Sequence, residues 1–173
     1  TVGRESCLVV LRAAYAMAYE TSGEVTVDVD RSTAFAVVRN PARLARCIPG
    51  CQDLRELAPD RYSAVLTSQV AFMTLSFKVA IVVTRIDEPS ALEAKITGDA
   101  VGLAGHVVAT ARLQLEEAAD RRTIVRYATE VGLTGKLGGL GQPVFKATSA
   151  KMAREFGAPL KAEIERGEAE PSA

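Results

Sequence analysis

Tryptophan is absent from these 173 residues and aromatic side chains make up only 5% of them. An interior must therefore be filled by Ala, Val, Leu and Ile, or be left partly empty. An excess of one charge is missing too: 21 Lys and Arg balance 21 Asp and Glu, without a block of like sign, so nothing favours a nucleic-acid or polyanionic partner. Soft metal ligands are scarce. His106 is the single histidine and Cys7, Cys47 and Cys51 are the only cysteines, whereas a zinc centre takes about four such ligands or carboxylates. Neither a metal nor a covalent cofactor is expected. Three cysteines do not make a disulfide scaffold and suit a reducing, cytoplasmic setting. A long apolar run is also lacking. Residues 8–18, LVVLRAAYAMA, read as a secretory signal or as an unspecialised stretch; Arg12 splits them, and a membrane span needs about 20 apolar residues. Residues 1–18 are set aside as an N-terminal extension, with 1–16 an accessory segment or a start-site artefact.

What is present is alternation. Val25, Val27 and Val29 fall on one face of EVTVDVD, a half-buried strand. Asp30 and Ser32 can cap a short helix, RSTAFAVVRN, which Pro41 ends by disfavouring helical geometry at Asn40. A second short helix, ARLAR, precedes CIPGC. Four or five strands follow with short links, which predicts an antiparallel meander. DLREL leads to the Pro59-Asp60 turn, and the strands are RYSAVLTSQVAFM (61–73), LSFKVAIVVTRI (75–86), ALEAKITG (91–98), HVVATARLQLEE (106–117) and TIVRYATEVGLTG (123–135). The chain then changes period. Leu140, Val144, Thr148, Met152, Phe156, Leu160 and Ile164 recur every fourth residue, with Phe145 and Ala153 alongside, so a helix spans about 140–165. Pro143 suits its first turn, and Pro159 is expected to kink or interrupt it near Glu155. The tail, 166–173, lacks an apolar face and is expected to be disordered. Strands followed by one long helix make an α+β plan, with a curved sheet gripping that helix.

Few residues suggest chemistry. CIPGC has three residues between its thiols where a thioredoxin-like motif has two, and strand-like sequence follows it. It reads as a helix-to-strand corner with type II geometry at Pro49-Gly50. His106 falls on the outer face with Thr110 and Arg112, without a recognisable acid or nucleophile beside it. The link GKLGGLGQ (135–142) fits no nucleotide-binding spacing, although a helix N-terminus there could receive an anionic or carbonyl group. More telling are the inward faces, where Tyr62, Ser68, Tyr127, Thr129 and Thr148 interrupt aliphatic rows among the small Ala64, Ala94, Ala109 and Ala111. A buried hydroxyl without a partner costs about 1–3 kcal/mol, so these groups bond to one another, to water or to a ligand.

Several strings resemble one family: GEVTVD (23–28), NPARLARCIPGCQDL (40–54), DRYSAVL (60–66) and GKLGGLGQ (135–142). They are similar to the G-subunit family of carbon-monoxide dehydrogenase, within the SRPBCC superfamily, over about residues 19–160. The resemblance implies a helix-grip (START-like) domain over 19–165, with seven antiparallel strands curved around the C-terminal helix and two short helices after the first strand. It further implies an apolar cavity holding a quinone, isoprenoid or lipid, and an accessory role to a molybdenum-containing dehydrogenase. Members that attach to membranes have an amphipathic anchor in a longer tail, and the residues after Gly167 carry none, so a peripheral position at the inner face of the membrane is expected only without an anchor. Candidate ligand contacts come from every layer. The small helices and the corner supply Phe35, Leu44 and Ile48. Tyr62, Leu66, Ser68 and Val70 belong to one strand; Phe77, Val79, Ile96 and Leu113 to the next three; Tyr127, Thr129 and Val131 to the last. The terminal helix supplies Val144, Phe145, Thr148, Met152 and Phe156. A docking or maturation subunit with a collapsed interior, and a cyclase- or hydratase-type enzyme on the same fold, are the other two readings.

Overall fold

Strand β1 (Met17–Val27) ends where Asp30 turns the chain into α1 (Arg31–Arg39). The Asp30 carboxylate accepts hydrogen bonds from the Thr33 amide at 3.3 Å and the Thr33 hydroxyl at 2.6 Å, satisfying a donor that the first turn leaves free. Asn40, extended at φ −80° and ψ 111° before Pro41, closes α1 and opens α2 (Pro41–Cys47). Its side-chain oxygen accepts from the amides of Ala42 and Arg43. One residue thus ends one helix and caps the next. The computed structural model describes residues 17–70, 72–135 and 142–167. The expected extension up to residue 16, the tail from 168 and the glycine link with Leu140 lie outside them.

Six strands follow α2, more than the four or five read from alternation and as many as the seven-stranded resemblance implies: β2 (Cys51–Ala58), β3 (Arg61–Val70), β4 (Met73–Asp87), β5 (Ala91–Ala100), β6 (Gly105–Ala118) and β7 (Arg122–Gly135). The corner segment CQDLRELA is a strand in its own right. The strand expected over 61–73 ends at Val70, because the chain reverses between Val70 and Met73, where neither glycine nor proline signals a turn, and Met73 already opens β4. The seven strands form one antiparallel sheet in the order β1-β7-β6-β5-β4-β3-β2. Helices α1 and α2 carry the chain from one edge to the other. The β2 edge is irregular, with two register shifts and Asp53 at φ 54°.

Helix α3 (Gln142–Gly167) lies across the sheet and packs most extensively on β1. It runs through Pro159 without the expected interruption. Leu160 and Ile164, both 0% exposed, hold the turns beyond the proline against the core. The carbonyl that loses its donor belongs to Glu155, an exposed residue. Near the middle, Gly157 lets the helix approach β7, since a Cβ there would sit 2.7 Å from the Tyr127 hydroxyl.

The interior falls into two apolar clusters rather than one. At one end, Val27, Phe35, Val38, Leu113, Leu115, Val125, Leu160 and Ile164 pack with the flanking Val25, Leu44, Tyr127 and Phe156. At the other, Val70, Leu75, Leu133 and Phe145 pack with Phe77, Val107, Val131 and Val144. Burial of such side chains at about 25 cal/mol per Å² supplies the main driving force for folding. The strip between the clusters belongs to neither.

Candidate functional site

The antiparallel register explains that strip. Pairing brings Thr21, Thr129, Ala111, Ala94 and Val83 into one row across β1, β7, β6, β5 and β4. Its neighbour runs Val131, Ala109, Ile96, Ile81 and Tyr62. The row on the other side holds Gly23, Tyr127, Leu113, Leu92 and Ile86. The middle row therefore has nothing larger than valine, between rows that carry Tyr, Leu and Ile. The stretch of α3 from Thr148 to Ala153 runs between Phe145 of one cluster and Phe156 of the other and meets Ser68 and Tyr127. Leu66, Ile81, Ala94, Ile96, Ala111, Thr129, Thr148 and Met152 all keep intermediate exposure although they face the helix or the sheet. In a close-packed interior they would be buried.

The hydroxyls on these rows divide clearly. Tyr127 donates to the Ala153 carbonyl at 3.0 Å, and its ring meets Phe156 edge-on at 5.0 Å. Thr148 donates to the Val144 carbonyl within its own helix at 3.0 Å. Ser68 finds only the Met152 thioether, 3.9 Å away. Thr21, Tyr62 and Thr129 make no side-chain hydrogen bond among the described residues. Burial raises the pKa of both Tyr127 and Tyr62, with Glu56 and Asp60 adding to the effect at Tyr62. Both phenols are thus held as donors.

The surface opens between β3 and α3. A hollow of about 100 Å³ is lined by Pro49, Gly50, Thr67, Ser68, Gln69, Thr148, Lys151, Met152 and Glu155. One jamb is the cysteine corner. Gly50 has φ 75°, and the Cys51 amide donates to the Ile48 carbonyl at 3.2 Å, in keeping with the expected type II turn. The Thr67 amide donates to the Gly50 carbonyl at 3.0 Å, and a Cβ on Gly50 would fall 1.9 Å from the Thr67 carbonyl oxygen. The corner is thereby pinned to β3. The thiols beside it are poor nucleophiles: Cys47 is buried, and desolvation with the nearby Glu163 carboxylate raises its pKa to about 11. Burial likewise raises that of Cys51. Among the described residues no cluster of three metal-ligating side chains exists.

Of the expected contacts, Ser68, Thr148 and Met152 line the mouth. Thr129 lies in the middle row, with Ile96, Tyr62 and Val131 in its neighbour; Val79 is one row further out, and Leu66 beyond it pairs with Phe77. Phe35 and Leu113 sit inside the first cluster with Leu44, Tyr127 and Phe156 against it; Val70 and Phe145 sit inside the second, with Phe77 and Val144 against it. Ile48 is half-buried at the corner, but Pro49 and Gly50 form the wall. Sequence alternation did not single out Gln69, Lys151 or Glu155, which are exposed polar residues that only the packing of α3 beside β3 brings to the mouth. His106 does have an acidic partner, with its Nδ1 2.8 Å from Asp99 Oδ1, on the outer face. A hollow of about 500 Å³ is also on that face and is lined by Glu20, Glu24, Arg112 and Arg126 among others. Such a charged groove does not suit an apolar ligand.

The family of the carbon monoxide dehydrogenase G subunit (CoxG) matches residues 23–165. The chain belongs to this family. The CoxG-family match runs from within β1 to the last turns of α3, covering the mouth and all of the middle row except Thr21. No curated protein matches the sequence at a significant level. Among solved structures, a conserved protein from Geobacillus kaustophilus is similar over 86% of this chain and 96% of its own, at 22% identity and a TM-score of 0.75. A START superfamily protein from Mycobacterium smegmatis is similar over 85% and 97%, at 12% identity and 0.63. The Zhui aromatase/cyclase from Streptomyces sp. R1128 is similar over 87% and 95%, at 14% identity and 0.63. At these identities the likeness establishes the helix-grip fold alone. Among the described residues no helix is long and apolar enough to cross a membrane.

Proposed function

We propose that this CoxG-family protein is a non-catalytic carrier of an apolar ligand, a quinone, isoprenoid or lipid, serving a molybdenum-containing dehydrogenase of the carbon-monoxide type. The observation that carries the reading is the divided core: a strip of small side chains with unpartnered hydroxyls between two well-packed clusters. A chain that needed only a core would fill the strip, since each missing methylene forfeits about 0.8 kcal/mol. An alkyl or isoprenoid tail laid along Ala94, Ala111 and Ile96 supplies the missing contacts. Thr129 and Tyr62 then offer donors to a few polar atoms, in the pattern of mostly apolar sites with sparse polar markers. The mouth, at about 100 Å³, is smaller than the roughly 300–1,000 Å³ of small-molecule sites, so uptake moves side chains, with the unbranched Met152 the most adaptable of them.

Organic extraction of the natively purified protein, followed by mass spectrometry and by titration with decylubiquinone, tests the reading. A co-purifying quinone or lipid and saturable one-to-one binding are expected. An empty extract together with no binding would leave a docking subunit with a collapsed interior as the better account.

A further inference from the structure

We infer that the hollow between the Pro49-Gly50 corner, β3 and α3 is a head-group subsite that takes a neutral, carbonyl-bearing head while the tail runs inward. This rests on the carrier reading and adds to it an orientation and a chemical class. Three observations point there. Two inward hydroxyls reach the opening: Thr148 already donates to the Val144 carbonyl, whereas the sole partner of Ser68 is a thioether sulfur at 3.9 Å. Thioethers are weak acceptors, so a carbonyl oxygen displaces Met152 from Ser68 at a net gain. The second concerns charge. Lys151 and Glu155 line the same hollow and face each other at 3.8 Å, one turn apart on α3. Together they leave the mouth without net charge: a carboxylate or phosphate head would meet Glu155 as well as Lys151, whereas a neutral carbonyl can accept from Lys151 without that repulsion. The third is geometric. The inward faces of β5 and β6 offer small and aliphatic side chains, Ala94, Ile96, Ala109 and Ala111, which suit a tail and not a polar head. The head therefore stays at the surface, beside a corner pinned by the bond between Gly50 and Thr67, where a partner can reach it without release of the tail.

The test compares three ligands, decylubiquinone, decylbenzene and dodecanoate, on the full chain and on its Ser68→Ala, Lys151→Ala and Ser22→Ala variants, with affinities from calorimetric titration. Decylubiquinone is expected to bind best and to lose about fivefold in Ser68→Ala, the size of one ordinary hydrogen bond. Decylbenzene is expected to bind more weakly and to ignore the substitution, and dodecanoate to be the poorest of the three. Ser22→Ala, on the outer face, changes none of them. Methyl NMR provides a second reading that needs no variant: decylubiquinone shifts the Met152 methyl signal and leaves that of Met73, at the β3–β4 turn, in place. Ligands that bind but lose nothing, or lose equally, in Ser68→Ala, or that leave Met152 unshifted, overturn the head-out orientation and spare the carrier reading. Dodecanoate binding as tightly as decylubiquinone overturns the neutral-head assignment. Failure of all three ligands to bind overturns the carrier reading, and the subsite with it.

Discussion

Replacing Ala111 by Leu adds three carbons in the middle of the small-residue row, between Ala94 on β5 and Thr129 on β7. The sign of its effect on stability depends on whether that space is filled. If the strip is open, three buried carbons at about 0.8 kcal/mol each give an upper bound near 2 kcal/mol of stabilisation, which a realistic unfolded state reduces to about 1 kcal/mol. If it is packed, the same carbons force neighbours off their rotamers and cost about 1–3 kcal/mol. For a chain of this length 1 kcal/mol moves Tm by about 2–4 °C. Thermal and urea unfolding followed by circular dichroism, which needs no tryptophan, should therefore show Ala111→Leu raising Tm by about 2–4 °C. Decylubiquinone affinity should fall at least tenfold, because the side chain occupies the tail's path. A fall in Tm with unchanged affinity would refute the open strip, and with it the principal support for a carrier.

Three further outcomes follow from the packing. Gly50→Ala places a Cβ 1.9 Å from the Thr67 carbonyl oxygen at a residue with φ 75°, so a loss of about 2 kcal/mol or more is expected in urea unfolding; a neutral result would mean that the corner is not pinned. Glu163 is 3% exposed, with Arg43 Nε at 2.8 Å from Oε1 and Arg166 at 2.7 Å from Oε2, and the Arg43 bond with its neighbouring guanidiniums lowers its pKa despite burial. Glu163→Gln should cost about 2 kcal/mol at pH 7, less than for a fully buried pair because Arg46 and Arg166 reach water. Because the folded pKa lies below the unfolded value, this stabilisation is present above the ordinary carboxylate range and is lost as pH falls through the folded pKa; wild type and variant should converge in acid unfolding scans. With its pKa at about 11, Cys47 should not react with an aromatic disulfide reagent at pH 8 until the protein unfolds, and fast native labelling mapped to it would revive a chemical role for the corner.

Elements that obey a local period were legible in the sequence; those set by pairing were not. Val25 and Val27, the capping by Asp30, the break at Asn40-Pro41 and the stripe from Val144 to Ile164 each follow from residues close in sequence. The reversal between Val70 and Met73 carries no turn residue, and DLREL lacks the alternation of a strand paired on both sides, because β2 is a bulged edge. The site was half visible for the same reason. Ala94, Ala111 and Thr129 can each be assigned to an inward face from their own strand. Their alignment into one row is a fact of register, which alternation within a strand leaves free by any even shift. Likewise Asp99 and His106 meet only because β5 and β6 pair.

The cysteine corner shows how a motif can be positional rather than chemical. Its thiols are desolvated and held protonated, so nothing in them calls for two cysteines. The intervening Pro49 and Gly50 set the geometry: Gly50 comes so close to β3 that no side chain fits, and this brings the end of α2 against Thr67 and forms one wall of the mouth. The facing wall is made of Met152 and Lys151, flexible side chains on a helix. A fixed wall opposite an adaptable one allows an opening to widen for a ligand without disturbing the sheet, since only rotamers on α3 have to change. The two clusters on either side hold the ends of that helix meanwhile, through Phe145 at one end and Leu160 and Ile164 at the other. On the carrier reading, a substitution that tightens the strip should therefore improve stability as it removes binding.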